Sequence, residues 1–292
     1  MYAITGITGQ VGGEVARRLL SQAQAVRAVV RDRSKGAPWQ ALGCDVAIAD
    51  MNDAAALTEA FKAATAVFVL LPPIFDPAPG FPESRRTIWA IRQALEAARP
   101  DKVVCISTIG AQAKQQNLLT QLTIMEQSLR ELPMPITFLR PAWFMENFRW
   151  DIASARDHGV IHSFLQPVDR PVPMVATADI GRVAAELLGE NWSGTRIVEL
   201  EGPERPTPQQ IARTLGDILG RDVRAQVVPR ESWEQGFRSQ GMIHPEPRMR
   251  MIDGFNEGWI TFESDRVQKG LVPIEHVLKA MIDEVPPGAR SL

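Results

Sequence analysis

Apolar residues in the first half of the chain fall in short unbroken runs, separated by longer stretches in which they recur at helical spacing. The runs are Met1 to Ile4, Ala25 to Val30, Cys44 to Asp50, Ala66 to Leu71, Lys102 to Ile106 and Ile136 to Leu139. Between them, Val11, Val15, Ala16, Leu19 and Leu20 mark one helix face, Asp53 is placed to cap a helix through Phe61, and a further helix is expected from about Glu83 to Ala98. Leu118, Leu119, Leu122, Met125 and Leu129 form the stripe of another, read from Lys114 to Leu132. Near-continuous apolar strands alternating with amphipathic helices predict a parallel sheet covered on both faces.

The rhythm weakens after about residue 150. Thr177 to Leu188 reads as one more helix, and Thr195 to Leu200 as a strand returning to the main sheet. Thr207-Pro208-Gln209-Gln210 is a helix start, with Thr as N-cap, Pro at the first helical position and Gln at the third. Beyond it Trp233, Phe237, Met242, Met249, Met251, Phe255 and Trp259 follow with broken periodicity, suited to a core and to the lining of an apolar pocket. The expected organisation is a first domain over residues 1–150, rejoined by 177–200, and a smaller substrate-binding domain over residues 151–292.

Candidate chemistry starts at the first strand. Thr5-Gly6-Ile7-Thr8-Gly9-Gln10-Val11-Gly12 joins it to the first helix, and glycines at 6, 9 and 12 allow a tight turn, close approach of backbone to a pyrophosphate, and close packing of helix on strand. The helix N-terminus would offer its free N–H groups and positive dipole end to the phosphates. Substituting Gly9 or Gly12 by Val is accordingly expected to remove dinucleotide binding while sparing most of the fold. After the second strand stands Arg31, where NAD-binding folds place an acidic residue for the ribose; a guanidinium there suits the 2′-phosphate of NADP, with Arg33, Ser34 and Lys35 as further donors. Asp32 would serve a ribose if the strand ended one residue later. Ligands of such sheets lie beyond the C-terminal strand ends, where Asp50, Met51, Leu71, Pro72, Ser107 and Pro141 join Gly6, Thr8, Gly9, Gln10, Val11, Gly12 and Arg31 as cofactor-contacting candidates.

Composition narrows the class. The chain has 292 residues, 45% of them hydrophobic, and carries a formal net charge of −2 with both signs interspersed, which speaks against nucleic acid. No apolar run approaches the ~20 residues of a membrane helix. The N-terminal run, broken by glycines, does not read as a signal peptide, and Cys44 and Cys105, read at strand edges, fit a reduced cytoplasmic setting. His158 and His162 are interrupted by Gly159 and lack metal-ligand context, so no metal is expected.

Thr5-Gly6-x-Thr8-Gly9-x-x-Gly12, Arg31, Ser107-Thr108, the Asp179-Ile180 helix start and Leu139-Arg140-Pro141-Ala142-Trp143-Phe144-Met145-Glu146-Asn147 together resemble the NmrA-like group of atypical short-chain dehydrogenases/reductases. That resemblance implies an α/β fold with a Rossmann-type, doubly wound parallel sheet and a smaller C-terminal α+β substrate domain. It also implies NADP(H) as cofactor and either reduction of quinones, dyes, azo compounds or imines, or regulation by a dinucleotide-binding protein without catalysis. Trp143 and Phe144, just past the sixth strand, are placed to pack against the nicotinamide or the acceptor, or to form plain interdomain core, and Asn147 is read with them on the substrate side.

The chain departs from the wider superfamily in its acid. Its one tyrosine, Tyr2, lies inside the first strand, so the usual Tyr proton donor is excluded, and the helix expected after Lys114 holds no other lysine. Thr123 and Glu126 remain there, read as solvated helix positions or as catalytic groups. Ketone reduction builds an alkoxide that needs a positioned acid, whereas a quinone yields a phenolate, whose parent acid has a pKa of about 10 by analogy with tyrosine. The expectation is therefore an NADPH-dependent reductase of a small conjugated acceptor, with an NADP(H) sensor acting on a protein partner as the alternative. An epimerase on the same fold would need the missing tyrosine.

Overall fold

The computed structural model describes residues 1–284. Its first half alternates strictly: β1 (Tyr2–Ile4), α1 (Gln10–Ser21), β2 (Val26–Val30), α2 (Arg33–Ala41), β3 (Asp45–Ile48), α3 (Ala54–Phe61), β4 (Ala66–Leu70), α4 (Pro82–Ala98), β5 (Lys102–Ile106), α5 (Thr120–Leu129) and β6 (Ile136–Pro141). Then come β7 (Trp143–Phe144), a 3-10 turn (Met145–Asp151), α6 (Ile152–His158), β8 (Val160–Ser163), β9 (Met174–Val175), α7 (Thr177–Gly189) and β10 (Thr195–Glu201). The remainder is α8 (Pro208–Leu219), β11 (Arg224–Val227), α9 (Trp233–Ser239), α10 (Glu246–Glu257), β12 (Gln268–Lys269) and α11 (Ile274–Glu284).

Eight strands form one sheet in the order β12-β10-β6-β5-β4-β1-β2-β3, every pair parallel. Side chains alternate across it. Ile4, Ala28, Val30, Phe68, Val104 and Leu139 enter a core with α1 and α7, while Ala3, Val29, Val67, Val103, Cys105 and Phe138 enter the opposite core with α3, α4 and α5. Because both faces are covered, the strands show little polar alternation. The strand order reverses between β1 and β4, the two neighbours that part toward opposite edges, and Thr5 ties that point together. Its hydroxyl donates to the Phe68 carbonyl at 3.1 Å and accepts from the Leu70 amide at 2.9 Å.

Two further cores lie off the sheet. One gathers Met145, Phe148, Ile152, Ile161, Met174, Ile211, Leu215 and Leu278, and the other Trp233, Phe237, Met249 and Ile252. The capping box expected at Thr207 is present, with Gln210 N–H on the Thr207 hydroxyl at 3.0 Å and the Gln210 side-chain oxygen Oε1 accepting from Thr207 N–H at 2.8 Å. Two local expectations are corrected. The helix read from Lys114 to Leu132 spans only Thr120–Leu129, because Asn117 and Thr120 fold the preceding residues into a turn through the Asn117 amide and side chain. Cys105 sits within a central strand and is fully buried, and burial pushes its thiol pKa upward, which leaves it unreactive. Among the described residues no helix is long and apolar enough to cross a membrane.

Candidate functional site

The register aligns the C-terminal ends of the central strands. Ile4 faces Phe68, Leu70 faces Ile106 and Ile106 faces Leu139, so the loops beginning near Gly6, Leu71, Ser107 and Pro141 lie side by side. Three strand intervals separate β1 from β6, about 14 Å at ordinary strand spacing. Gly6, Leu71, Ser107 and Pro141 are thereby brought to one edge.

At the β1 end the glycines have distinct jobs. Gly6 has φ +64°, a left-handed conformation that only glycine adopts at little cost. A Cβ on Gly12 would stand 2.3 Å from the Gly6 carbonyl oxygen, so this position must be glycine for the turn to close. A Cβ on exposed Gly9 would meet nothing closer than that same oxygen at 3.4 Å. Gly9 is therefore not required by the protein's own packing, and the space beside it is open to an incoming group. The expectation that Gly12→Val would spare the fold is corrected by this contact; for Gly9 the geometry is compatible with it.

Helix termini show the same contrast. Asp32 caps α2, Asp53 caps α3 and Thr207 caps α8, each by a side-chain oxygen on a first-turn amide. At α1 the N-cap is Gly9, with no capping side chain and no acidic residue in the first turn. The amides of Gln10, Val11 and Gly12 belong to that first turn, where no carbonyl of the same helix can reach them. Such an end fits a phosphate. Thr8 and Gln10 are exposed at its mouth, whereas the Val11 side chain is buried in the core.

A cleft of about 560 Å³ opens beside this loop, lined by Ile7, Thr8, Gly9, Gln10, Arg17, Lys35, Pro38 and Trp39. Arg17 lies 5.8 Å above the Trp39 ring and pairs with Glu14 at 2.5 Å. Sequence reasoning missed Arg17 and Trp39, although Arg17 lies two helical turns after Gln10, on the same face. β2 stops at Val30, which leaves Arg31 exposed directly beyond it. The ribose role held open for Asp32 is weakened, because Ser34 N–H occupies its carboxylate at 2.9 Å. That bond, with Lys35 and Arg31 nearby, holds the Asp32 carboxyl below its usual range. Asp50 turns back on its own loop, accepting from Asn52 N–H at 2.9 Å, while Met51 and Leu71 pack into a core and Pro72 is exposed.

At the far end, Ser107 leads to a buried ionic hub. Its hydroxyl donates to Glu126 Oε1 at 2.5 Å, and Arg140 grips both Glu126 oxygens at 2.8 and 2.7 Å. Arg140 also reaches Glu263 at 2.6 Å and lies 3.9 Å from Glu199. Glu126 and Arg140 are 3% and 2% exposed, so the reading of Glu126 as a solvated helix position is overturned. Thr123 donates to the Ala111 carbonyl at 2.8 Å. With its proton directed at Glu126, the buried Ser107 hydroxyl keeps only acceptor capacity. Pro141 is buried and its carbonyl accepts from Ile109 N–H at 2.9 Å.

Trp143 and Phe144 point to different cores. Phe144 packs on the sheet, while Trp143 joins the off-sheet core of Met145 and Ile161, edge-on to Phe255 at 5.1 Å; Asn147 is exposed. Over the strand ends lies the α9–α10 region. Asp76, in the proline-rich loop after β4, accepts from Ile243 and His244 amides at 2.8 and 2.6 Å, and Leu118 N–H donates to the Pro247 carbonyl at 2.8 Å.

Residues 6–191 match the family described as NAD(P)H-binding. The chain is similar to the NAD(P)H azoreductase of Xenophilus azovorans, at 27% identity over 88% of this chain and 85% of that one. It is also similar to the (4-alkanoyl-5-oxo-2,5-dihydrofuran-3-yl)methyl phosphate reductase of Streptomyces griseus, at 32% identity over 77% and 76%. Among solved structures, the NADPH-dependent quinone oxidoreductase of Escherichia coli complexed with NADPH superposes with a TM-score of 0.81 at 23% identity, covering 96% of this chain and 99% of that one.

Proposed function

Because this chain belongs to the NAD(P)H-binding, NmrA-like family of atypical short-chain dehydrogenases/reductases, we propose that it is an NADPH-dependent reductase of a quinone-like, azo, iminium or otherwise conjugated small molecule. The observation that carries this reading is the pairing of an uncapped, glycine-lined α1 terminus with a strand-end site that has no tyrosine acid. Gly9 and the first-turn amides of α1 hold the pyrophosphate, and Arg31, helped by Arg17 and Lys35, holds the 2′-phosphate. Asp50, Met51, Leu71 and Pro72 flank the cofactor at the ends of β3 and β4, and Ser107 and Pro141 bound the nicotinamide side. When bound, NADPH supplies the hydride.

The protein's own part is to orient the two rings and exclude water. Ser107 spends its proton on Glu126, and Glu126 is pinned by Arg140, so neither is free to protonate an alkoxide. An acceptor whose reduced form is a stabilised anion or a neutral amine needs no such donor. Of residues 151–284, those outside α7, β10 and β12 supply the substrate-facing side, with Trp143, Phe144 and Asn147 at its junction with residues 1–150; residues 285–292 of the domain expected over 151–292 lie outside the described residues. The relatives fit this class: one is named for azo reduction, one for quinone reduction, and one for a conjugated furanone phosphate.

The test is NADPH consumption against a panel of quinones, azo dyes and iminium salts, beside simple ketones and sugars. Turnover is expected with the conjugated set alone, and its hydride-transfer rate should lack a steep limb between about pH 6 and 9, where a tuned acid would titrate. The locked Ser107–Glu126 pair also suits a second reading, an NADP(H) sensor acting through a protein partner. No turnover across the panel, together with clearly different affinities for NADP+ and NADPH, would establish that reading instead.

A further inference from the structure

Among the described residues, Arg248 is a cation without a counter-ion. It is half-buried in the first turn of α10. Its guanidinium lies 4.7 Å over the Phe237 ring and 3.9 Å from the Met242 sulfur, and among the described residues it meets no carboxylate. Other half-buried arginines do: Arg27 pairs with Asp45, Arg92 with Glu96, Arg182 with Asp179 and Arg230 with Asp253. Three acids of the surrounding segments are spent elsewhere, and Glu246, two residues before Arg248, lies on a different face of the helix. Asp76 accepts two backbone amides, Glu234 pairs with Arg238, and Asp253 with Arg230 and Arg250.

Taking a guanidinium partly out of water against a ring and a thioether loses hydration that a cation–π contact only partly returns. Burial accordingly pulls the Arg248 pKa down. A methionine would fill the same space at less cost, so the charge has a use outside the packing of this chain. Position suggests which. The Pro247 carbonyl accepts from Leu118, in the loop that follows β5, and the Ile243 and His244 amides hold Asp76, in the loop that follows β4. Gln121 joins those two loops through the Ile74 carbonyl at 3.0 Å. Arg248 is thus carried by the segment that closes over the C-terminal ends of β4 and β5, where ligands of parallel sheets lie.

We propose that Arg248 is a specificity-determining residue that binds an anionic group, a carboxylate, sulfonate or phosphate, on the conjugated acceptor. The proposal rests on the reductase reading, and its test separates the two. Turnover of 1,4-naphthoquinone-2-sulfonate and of unsubstituted 1,4-naphthoquinone is measured in the native protein, Arg248→Met and Arg248→Lys. The ratio of the two kcat/KM values cancels the quinones' own reactivity and should fall about ten- to a hundredfold in the Met variant, the worth of a charge-assisted contact. The Lys variant should retain most of it, and NADPH affinity reports the fold of both. Binding of naphthalene-2-sulfonate to the NADP+-loaded protein, followed by calorimetry, is the second readout. Turnover with an unchanged ratio overturns the anion site and leaves the reductase reading standing. Arg248-dependent sulfonate binding without turnover of either quinone does the reverse, and neither binding nor turnover overturns both.

Discussion

At the start of α1 the groups offered to a ligand are backbone amides, shaped by Gly6, Gly9 and Gly12 and left free by the absence of a capping side chain. Past β6 several side-chain groups are unfinished: Trp143 Nε1, Glu146 Oε2 and Ser154 Oγ are buried without a hydrogen-bond partner among the described residues. Burial also raises the carboxyl pKa of Glu146, and that of Asp151 to about 6. The sheet side, by contrast, satisfies its buried acids, with Glu126, Glu199 and Glu201 all bonded to cations or amides. The α1 end has a shape that its own backbone enforces. The region past β6 holds its polar groups at some cost in stability, a pattern common at functional sites.

The sharpest way to break this comparison is at the glycines. Gly12→Val should cost on the order of 5 kcal/mol of stability through collision with the Gly6 backbone, whereas Gly9→Val should keep the native melting temperature and lose NADPH binding. Thermal unfolding beside calorimetry distinguishes the two, and a matched loss of stability in both variants would mean that Gly9, too, is a packing residue.

The ionic hub gives the next effect. Glu126→Ala leaves Arg140 buried with only its outer partners and should destabilise the protein by about 3–5 kcal/mol in a denaturant titration. A loss below 1 kcal/mol would show that water or Glu199 takes over the pairing.

Asp151 tests the unfinished side. Its pKa is raised from 3.8 to about 6, with a single bond from His162 N–H at 3.2 Å to offset burial. Folding favours its protonated form, so its contribution to stability is fully present below about pH 4 and is lost as the pH rises through about 6. Asp151→Asn should therefore stabilise the protein at pH 7–8, by at most about 3 kcal/mol, and give no gain at pH 4. Equal stabilisation at both pH values would remove titration as the cause.

Arg31→Ala is the finest discrimination. It should lower NADPH affinity by about 1.5–3 kcal/mol, ten- to a hundredfold, with little change for NADH. Parity between NADPH and NADH in the native protein would overturn the assignment of the 2′-phosphate to Arg31.

Local chemistry made much of this legible without coordinates. Helical and strand periodicity, the caps at Asp53 and Thr207, and the glycine spacing each depend on residues only a few positions apart, where backbone geometry and side-chain reach leave few alternatives. By itself the sequence also determined that its one tyrosine is Tyr2, inside β1. Tertiary structure decided what the polar residues do. Glu126 reads as an ordinary helix position until β6 places Arg140 across both its oxygens and the end of β5 places Ser107 on one of them. Arg17 needed α2 to bring Trp39 beneath it, and Arg248 needed α9 to bring Phe237 beneath it while Glu234 and Asp253 pair with other arginines. The reason is physical: a charge's role is set by its dielectric surroundings and by the partners within a few ångströms, and those arrive from distant parts of the chain only when it folds.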